Sequence, residues 1–303
     1  MCISLNATSL GERVVLRLLD KSARLYELGE LGMCAADRGR VEGLLERTYG
    51  IILVTGPTGS GKSTTLYAAL QYLDSTAKNI LTLEDPIEYQ LPGVSQTQVS
   101  PKKGMAFATG LRAVLRQDPD IIMVGEIRDE DTARMAVQSS LTGHLVFSTL
   151  HTNDAAGAVS RLLDLGIEPY LVASSLLACV AQRLVRIVCP HCRSIRAITS
   201  EDVQKLQLDV RTRGVPASFA EGCDNCAMTG YFGRKGIFEL LVVDDDIREL
   251  IVRRSKASAI KARATRAGMT TLRQDGIRKL LNGETTIDEL TRVTYADEAS
   301  EVK

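Results

Sequence analysis

The chain alternates short, wholly apolar runs with stretches whose apolar residues recur every three or four positions, a pattern that predicts parallel strands joined by helices. Ile51-Ile52-Leu53-Val54-Thr55 reads as a buried strand, with a helix over Thr64 to Leu73 behind it. Asn79 to Asp85 reads as a second strand, ended by Pro86, and Pro92-Gly93 marks a turn further on. Gly104 to Gln117 predicts an amphipathic helix stopped by Asp118-Pro119-Asp120, and Ile121-Ile122-Met123-Val124 reads as a central strand. Asp129 is placed to cap a helix running to Leu141 and closed by Thr142-Gly143, after which Leu145 to Leu150 predicts a further strand. Ile237 to Val243 reads as a strand-like element. Helices are expected at Asp245 to Arg254, Ala257 to Arg266, Leu272 to Leu281 and Ile287 to Val293, with Gly268 and Gly283 as stops and a mobile polar tail over 295–303.

Where the first of these strands meets its helix, Gly56-Pro57-Thr58-Gly59-Ser60-Gly61-Lys62-Ser63, followed by Thr64, fills every fixed position of the G-x-x-x-x-G-K-[ST] phosphate-binding loop. Amides of a glycine-rich turn point inward and the helix N-terminus adds partial positive charge, so a polyphosphate can bind there. Lys62 is placed to reach the β- and γ-phosphates and Ser63 to hold Mg²⁺. In an open α/β sheet, ligands bind outside the carboxyl ends of the strands. Four consecutive strands thus aim the loop, Glu84, Asp85, Glu88, Glu126 and His151 at one rim. Phosphoryl transfer to water needs charge neutralisation, Mg²⁺ and an oriented water. Glu84 or Glu126 could position that water, and His151 could sense the γ-phosphate. The usual acid after the apolar run is replaced by Gly125, with Glu126 next, which predicts a Mg²⁺ contact through water. Carboxylates at strand ends also serve as solvated termini or caps, and a lone histidine is more often structural.

Cys189-Pro190-His191-Cys192 and Cys223-Asp224-Asn225-Cys226 form two C-x₂-C knuckles thirty residues apart. Together they suit a closed, tetrahedral, structural Zn²⁺ site, with His191 as a substitute ligand and a helix over Glu201 to Leu208 between them. Disulfides are the rival reading, disfavoured in a cytosolic setting. Cys2, Cys34 and Cys179 stand alone.

Composition narrows the partners. Across 303 residues, Lys+Arg and Asp+Glu are equal at 37, the pI is near 6.8, and there is no Trp, with 5 Phe and 8 Tyr. That balance offers neither the basic face nor the stacking platforms of a nucleic-acid translocase, so no nucleic acid is expected. No apolar run approaches the length of a membrane span, and the first residues lack the basic segment of a signal peptide. A soluble, cytosolic chain with at most peripheral membrane association is expected.

The runs GPTGSGKSTTLYAAL, LTLEDPIEYQLPGVSQTQV, LRAVLRQDPDIIMVGEIRDEDTA and TGHLVFSTLHTNDA resemble the Walker A, Asp box, Walker B and His box of the secretion traffic ATPases. The tetracysteine segment, with Gln182 to Arg186 before it and Gly230 to Gly236 after it, resembles the type II secretion branch, general secretory pathway protein E, close to the type IV pilus assembly ATPases. The likeness spans nearly all of residues 10 to 293. It implies an α/β fold with a RecA-like P-loop core at 29–188, a zinc-binding subdomain at 189–236 and a C-terminal helical region at 237–303. It also implies ATP with Mg²⁺, a homo-hexameric ring, inner-membrane secretion-platform partners, and hydrolysis that drives pseudopilus assembly and protein export. Family members carry a further domain before the phosphate loop, whose arginines approach the nucleotide. Gly11 to Leu19 resembles its last strand, residues 1–28 its remnant, and Arg13 and Arg17 the matching arginines. A truncated ATP-binding scaffold with weak hydrolysis is therefore the alternative to a working motor.

Overall fold

The computed structural model describes residues 2–9, 11–17, 24–100, 104–206 and 208–298. The chain opens with an antiparallel hairpin of β1 (Cys2–Thr8) and β2 (Gly11–Arg17). The expected strand over Gly11 to Leu19 is thus present to Arg17, and Leu18 and Leu19 lie outside the described residues. The main body then runs α1 (Ala35–Leu45), β3 (Gly50–Thr55), α2 (Lys62–Tyr72), β4 (Ile80–Glu84), β5 (Ser95–Gln98), α3 (Phe107–Val114), β6 (Ile121–Val124), α4 (Glu130–Leu141), β7 (Leu145–Leu150), α5 (Ala155–Asp164), α6 (Pro169–Ser175) and β8 (Leu176–Val188). There follow β9 (Arg193–Ala197), α7 (Ser200–Lys205), β10 (Pro216–Ala220), β11 (Tyr231–Val242), α8 (Asp245–Val252), α9 (Ala257–Arg266), α10 (Leu272–Leu281) and α11 (Ile287–Glu298). Among the described residues no helix is long and apolar enough to cross a membrane.

Seven strands form one sheet in the order β11-β8-β3-β7-β6-β4-β5. Every pairing is parallel except β11 with β8. Alternation along β3 explains the layers. Ile51 and Leu53 join the core built with Ala133 and Val137 of α4 and Val159 of α5, whereas Ile52 and Val54 join Leu66 and Leu70 of α2 and Leu45 of α1. A third, smaller core links Ile198, Ala217 and Phe219 near the cysteine segment to Leu280 and Leu290 of α10 and α11.

Several expectations are corrected at their ends: the strand expected from Ile237 starts at Tyr231, and the helix expected over Glu201 to Leu208 ends at Lys205. The helix expected over 104–117 is confined to α3, because Ala106 is extended at its N-cap and Asp118 turns back with φ 50. The tail expected from 295 onward is helical to Glu298, since neither Gly nor Pro interrupts α11; residues 299–303 lie outside the described ones.

Buried carboxylates fasten the C-terminal helices to the β8–β11 pair. Glu239 on β11 accepts the Ala155 amide at 2.9 Å and the Leu272 amide at 3.3 Å, the first residues of α5 and α10. Asp275 accepts the Phe238 amide at 3.0 Å and the buried Lys279 ammonium at 2.6 Å. Glu289, wholly buried, takes the Arg186 amide and guanidinium at 2.9 Å and the Arg292 guanidinium at 2.7 Å.

Burial alone would raise the Glu289 carboxyl, but the hydrogen bonds from Arg292 and Arg186 outweigh it and bring the group from 4.5 down to about 2. A depressed folded-state value means the carboxylate stabilises the fold fully above pH 4.5 and progressively less as pH falls towards 2. Glu289→Gln is therefore expected to cost on the order of 3 kcal/mol near neutral pH. Thermal unfolding followed against pH should show that deficit shrinking between pH 4.5 and 2, and a deficit constant over that range would refute the assignment.

Candidate functional site

The phosphate loop begins where β3 ends. Thr55 Oγ1 contacts the Leu150 carbonyl at 3.2 Å and Thr152 Oγ1 at 2.7 Å, which ties the end of β3 to the end of β7. Two loop positions exclude side chains. Gly56 sits at φ 148, where a Cβ would lie 2.3 Å from the Gln182 carbonyl oxygen, and Gly61 starts α2 at φ 88. Lys62 is buried and folds back over the loop, donating to the Gly56 carbonyl at 2.8 Å and the Pro57 carbonyl at 3.1 Å. Burial holds its ammonium below the ordinary lysine value, and the nearby Glu126 charge partly opposes that shift. Ser60 Oγ is buried without a hydrogen-bond partner, and Ser63 is exposed. A cradle with an orphaned buried hydroxyl and a lysine resting on its own carbonyls fits an anion such as a nucleotide phosphate.

A cleft of about 570 Å³ opens over this loop, lined by residues from Thr58 through Thr64 and by Glu84, Asp85, Glu88, Glu126 and His151. The acids and the histidine placed at one rim by the strand pattern thus share one cavity with the loop. Their surroundings differ. Glu84 is buried with both oxygens occupied, one by the Tyr67 hydroxyl, the other by Thr82 Oγ1 at 2.6 Å and Gln96 Nε2 at 2.9 Å. Burial and the Glu84 carboxyl push the Tyr67 phenol well above its ordinary value. Glu126 is more open, with Arg128 at 2.6 Å from one oxygen and His151 Nε2 at 3.6 Å from the other. The Glu126 hydrogen bond raises the Arg128 guanidinium further.

Two lining residues, Arg128 and Arg234, and one buried behind the wall, Tyr67, escaped the motif reading. Arg128 lies two positions beyond Glu126 in the same acidic and basic run, so its spacing was visible but its direction was not. Tyr67 looks like an ordinary helix residue until β4 brings Glu84 against it. Arg234 reaches the cleft from β11, far away in sequence. Arg13 is exposed on β2 and is not among the cleft-lining residues, and the Arg17 side chain lies outside the described ones.

The four cysteine sulfurs of Cys189, Cys192, Cys223 and Cys226 lie within 4.8 Å of one another. Cys189 and Cys223 are 3.9 Å apart, and Cys192 to Cys226 and Cys223 to Cys226 are each 3.8 Å. Sulfurs about 2.3 Å from a common tetrahedral centre would be roughly 3.8 Å apart, so the quartet fits zinc. Amides of Cys223 and Gly230 donate to Cys226 Sγ at 3.2 Å. Burial opposes ionisation of Cys226, yet these amides and the neighbouring thiols bring it down to about 6. His191 is exposed and stands outside the quartet.

Known proteins resemble the chain over most of its length. A family model described as type II/IV secretion system protein matches residues 3–292. The type II secretion system protein E of Aeromonas hydrophila is 55% identical over 295 residues, covering 97% of this chain and 58% of the relative. The type II secretion system ATPase E of Vibrio cholerae is 53% identical over 292 residues, with 96% and 58% covered. The chain thus spans 58% of the length of these relatives. Among solved structures, the pilus retraction motor PilT with bound ADP superposes with a TM-score of 0.69 at 29% identity, covering 95% of this chain and 72% of that one. The Legionella pneumophila ATPase DotB, 22% identical with a TM-score of 0.67 over 97% of this chain and 72% of its own, shares the fold.

The burial of Glu84 makes its donors countable. Tyr67→Phe removes one of three while leaving the ring in place, and an expected loss of about 1–3 kcal/mol would be read from urea unfolding of the nucleotide-free protein. An unchanged unfolding midpoint would show that Thr82 and Gln96 alone hold the carboxyl.

Proposed function

The chain belongs to the type II/IV secretion system protein family, and on that premise we propose that it is the ATP-hydrolysing motor of a type II secretion system, powering pseudopilus assembly and protein export. The observation that carries this reading is the convergence of a complete phosphate loop, Glu126 and His151 on one cleft. The relatives at 53–55% identity bear the type II secretion name, which favours export over type IV pilus assembly. The working form is a homo-hexamer, cytoplasmic and held at the inner membrane through secretion-platform proteins.

Lys62 and the amides at the start of α2 neutralise the phosphate oxygens of ATP. Ser63, and Glu126 through water, would hold Mg²⁺, which when bound neutralises charge on the β- and γ-phosphates. Glu126 orients the attacking water. Glu84 is less suited to that task, because its two oxygens already take three donors. His151, beside Glu126, senses the γ-phosphate; Arg13 stands outside the cleft here, so a nucleotide contact by Arg13 or Arg17 rests on the family resemblance and needs the preceding segment to move onto the site. Glu126→Gln should slow phosphate release by about 10²-fold or more while ATP still binds. Lys62→Ala should abolish the heat of ATP uptake. Equal phosphate release by wild type and Glu126→Gln would overturn the hydrolytic reading.

The cysteine quartet holds a structural zinc ion with no open coordination position. Such a site contributes ~10–16 kcal/mol, comparable with the net stability of a whole domain. Chelation or Cys192→Ser should speed amide hydrogen exchange across residues 189–226 and leave ATP uptake largely intact. Metal analysis that finds no zinc in protein purified under reducing conditions would refute the site.

A further inference from the structure

One residue outside those assigned above meets the phosphate loop at both ends, by its backbone at one and by its side chain at the other. Gln182 lies on β8, one residue past Ala181, the last partner of β3 through Thr55. Its carbonyl oxygen lies 2.3 Å from where a Cβ on Gly56 would stand, and its Nε2 lies 2.8 Å from where a Cβ on Gly61 would stand. Its Oε1 accepts the Thr65 hydroxyl at 2.6 Å, in the first turn of α2. The residue is 2% exposed. One buried residue therefore lies against the first glycine of the loop through its backbone carbonyl, and against the last glycine and the helix that follows through its carboxamide. β3 fixes only where the loop begins; the contacts at Gly61 and Thr65 fix where it ends.

We propose that Gln182 is a positioning residue for the phosphate loop, holding the N-terminus of α2 at a set height and tilt so that the loop amides and Lys62 face the triphosphate. This rests on the nucleotide reading above. An anion at a helix N-terminus is bound by directed amides, so a small tilt of α2 weakens every contact together. A neutral amide also suits the position chemically. A carboxylate there would keep the acceptor for Thr65 but set a negative charge behind the phosphates, and an apolar side chain would leave the Thr65 hydroxyl buried without an acceptor.

The test uses the full chain, with ATP affinity measured by calorimetry and the thermal midpoint measured without nucleotide. Thr65→Val, which removes the hydroxyl and keeps the shape, is expected to weaken ATP binding about tenfold while the nucleotide-free midpoint stays near wild type. Gln182→Leu should weaken it at least as much, and adding Thr65→Val to Gln182→Leu should cost nothing further, since both remove one interaction. Additive effects in the double variant, or losses of affinity matched by losses of the nucleotide-free midpoint, would overturn the proposal. If wild type binds ATP and Thr65→Val binds it equally well, this inference alone falls. If wild type takes up no ATP, the nucleotide reading falls and takes this one with it.

Discussion

Strand β3 is hydrogen-bonded on both sides, to β7 and to β8, and all six of its residues are buried, so the loop that follows it has no freedom in where it starts. Parallel pairing in consistent register sends β7, β6 and β4 out at the same rim. Thr149 Oγ1 on β7 donates to the Gly125 carbonyl at 2.7 Å, and the Gly125 amide donates to the Leu83 carbonyl at 2.7 Å, so neighbouring strand ends are stitched across the site as well as along the sheet. The positions of Glu84, Glu126 and His151 relative to the loop are therefore consequences of sheet register. They do not depend on any direct contact with the phosphate loop.

Within that frame the two glutamates divide by hydration. Glu84 sits under Tyr67 with both oxygens accepting hydrogen bonds from the protein, which makes it a fixed part of the wall. Glu126 keeps one oxygen near a half-exposed histidine and the other on an exposed arginine, so its hydrogen bonds can be exchanged for those of a ligand or water. Two chemically identical side chains at the ends of β4 and just beyond β6 thus acquire different capacities from their neighbours.

The sequence made the central strands legible because each is a continuous apolar run bounded by turn residues. β6 and β7 fall where the pattern placed them, and α4 begins at the Asp129 cap, whose carboxylate takes the Thr132 amide at 2.8 Å. Helices α9 and α10 likewise match their periodicity. The long strand β8 was hidden because Leu176–Val188 mixes Gln182, Arg183 and Arg186 into an apolar stretch, and those polar residues find partners only in distant segments. β5, with its polar Ser-Gln-Thr-Gln sequence, was invisible for the opposite reason: it is an edge strand that exposes both faces. The motif spelled out the loop and the cysteine pairs, but it could not reveal Tyr67, Gln96 or Arg234, whose roles arise from pairings between segments far apart.

The β8–β11 pair also explains why the cysteine quartet sits where it does. β8 parts from β3 after Ala181, yet continues to Val188 paired with β11 back to Tyr231, so the last part of this ladder is a two-stranded ribbon projecting from the sheet. Such ribbons are marginal alone. Here the edge abandoned by β3 is taken by the segment before and within α11. The Val188 amide donates to the Glu284 carbonyl at 3.0 Å, Thr285 Oγ1 donates to the Arg186 carbonyl at 2.9 Å, and Arg186 stacks 3.9 Å over the Tyr231 ring while its guanidinium meets Glu289. At the ribbon's tip the Cys189 amide donates to the Gly230 carbonyl at 2.9 Å, and the two cysteine pairs close the end. Arg234 rides on this ribbon opposite Arg186 and lines the cleft over the phosphate loop. The cysteine quartet therefore lies at the far end of the same ribbon that carries Arg234 to the wall of the cleft.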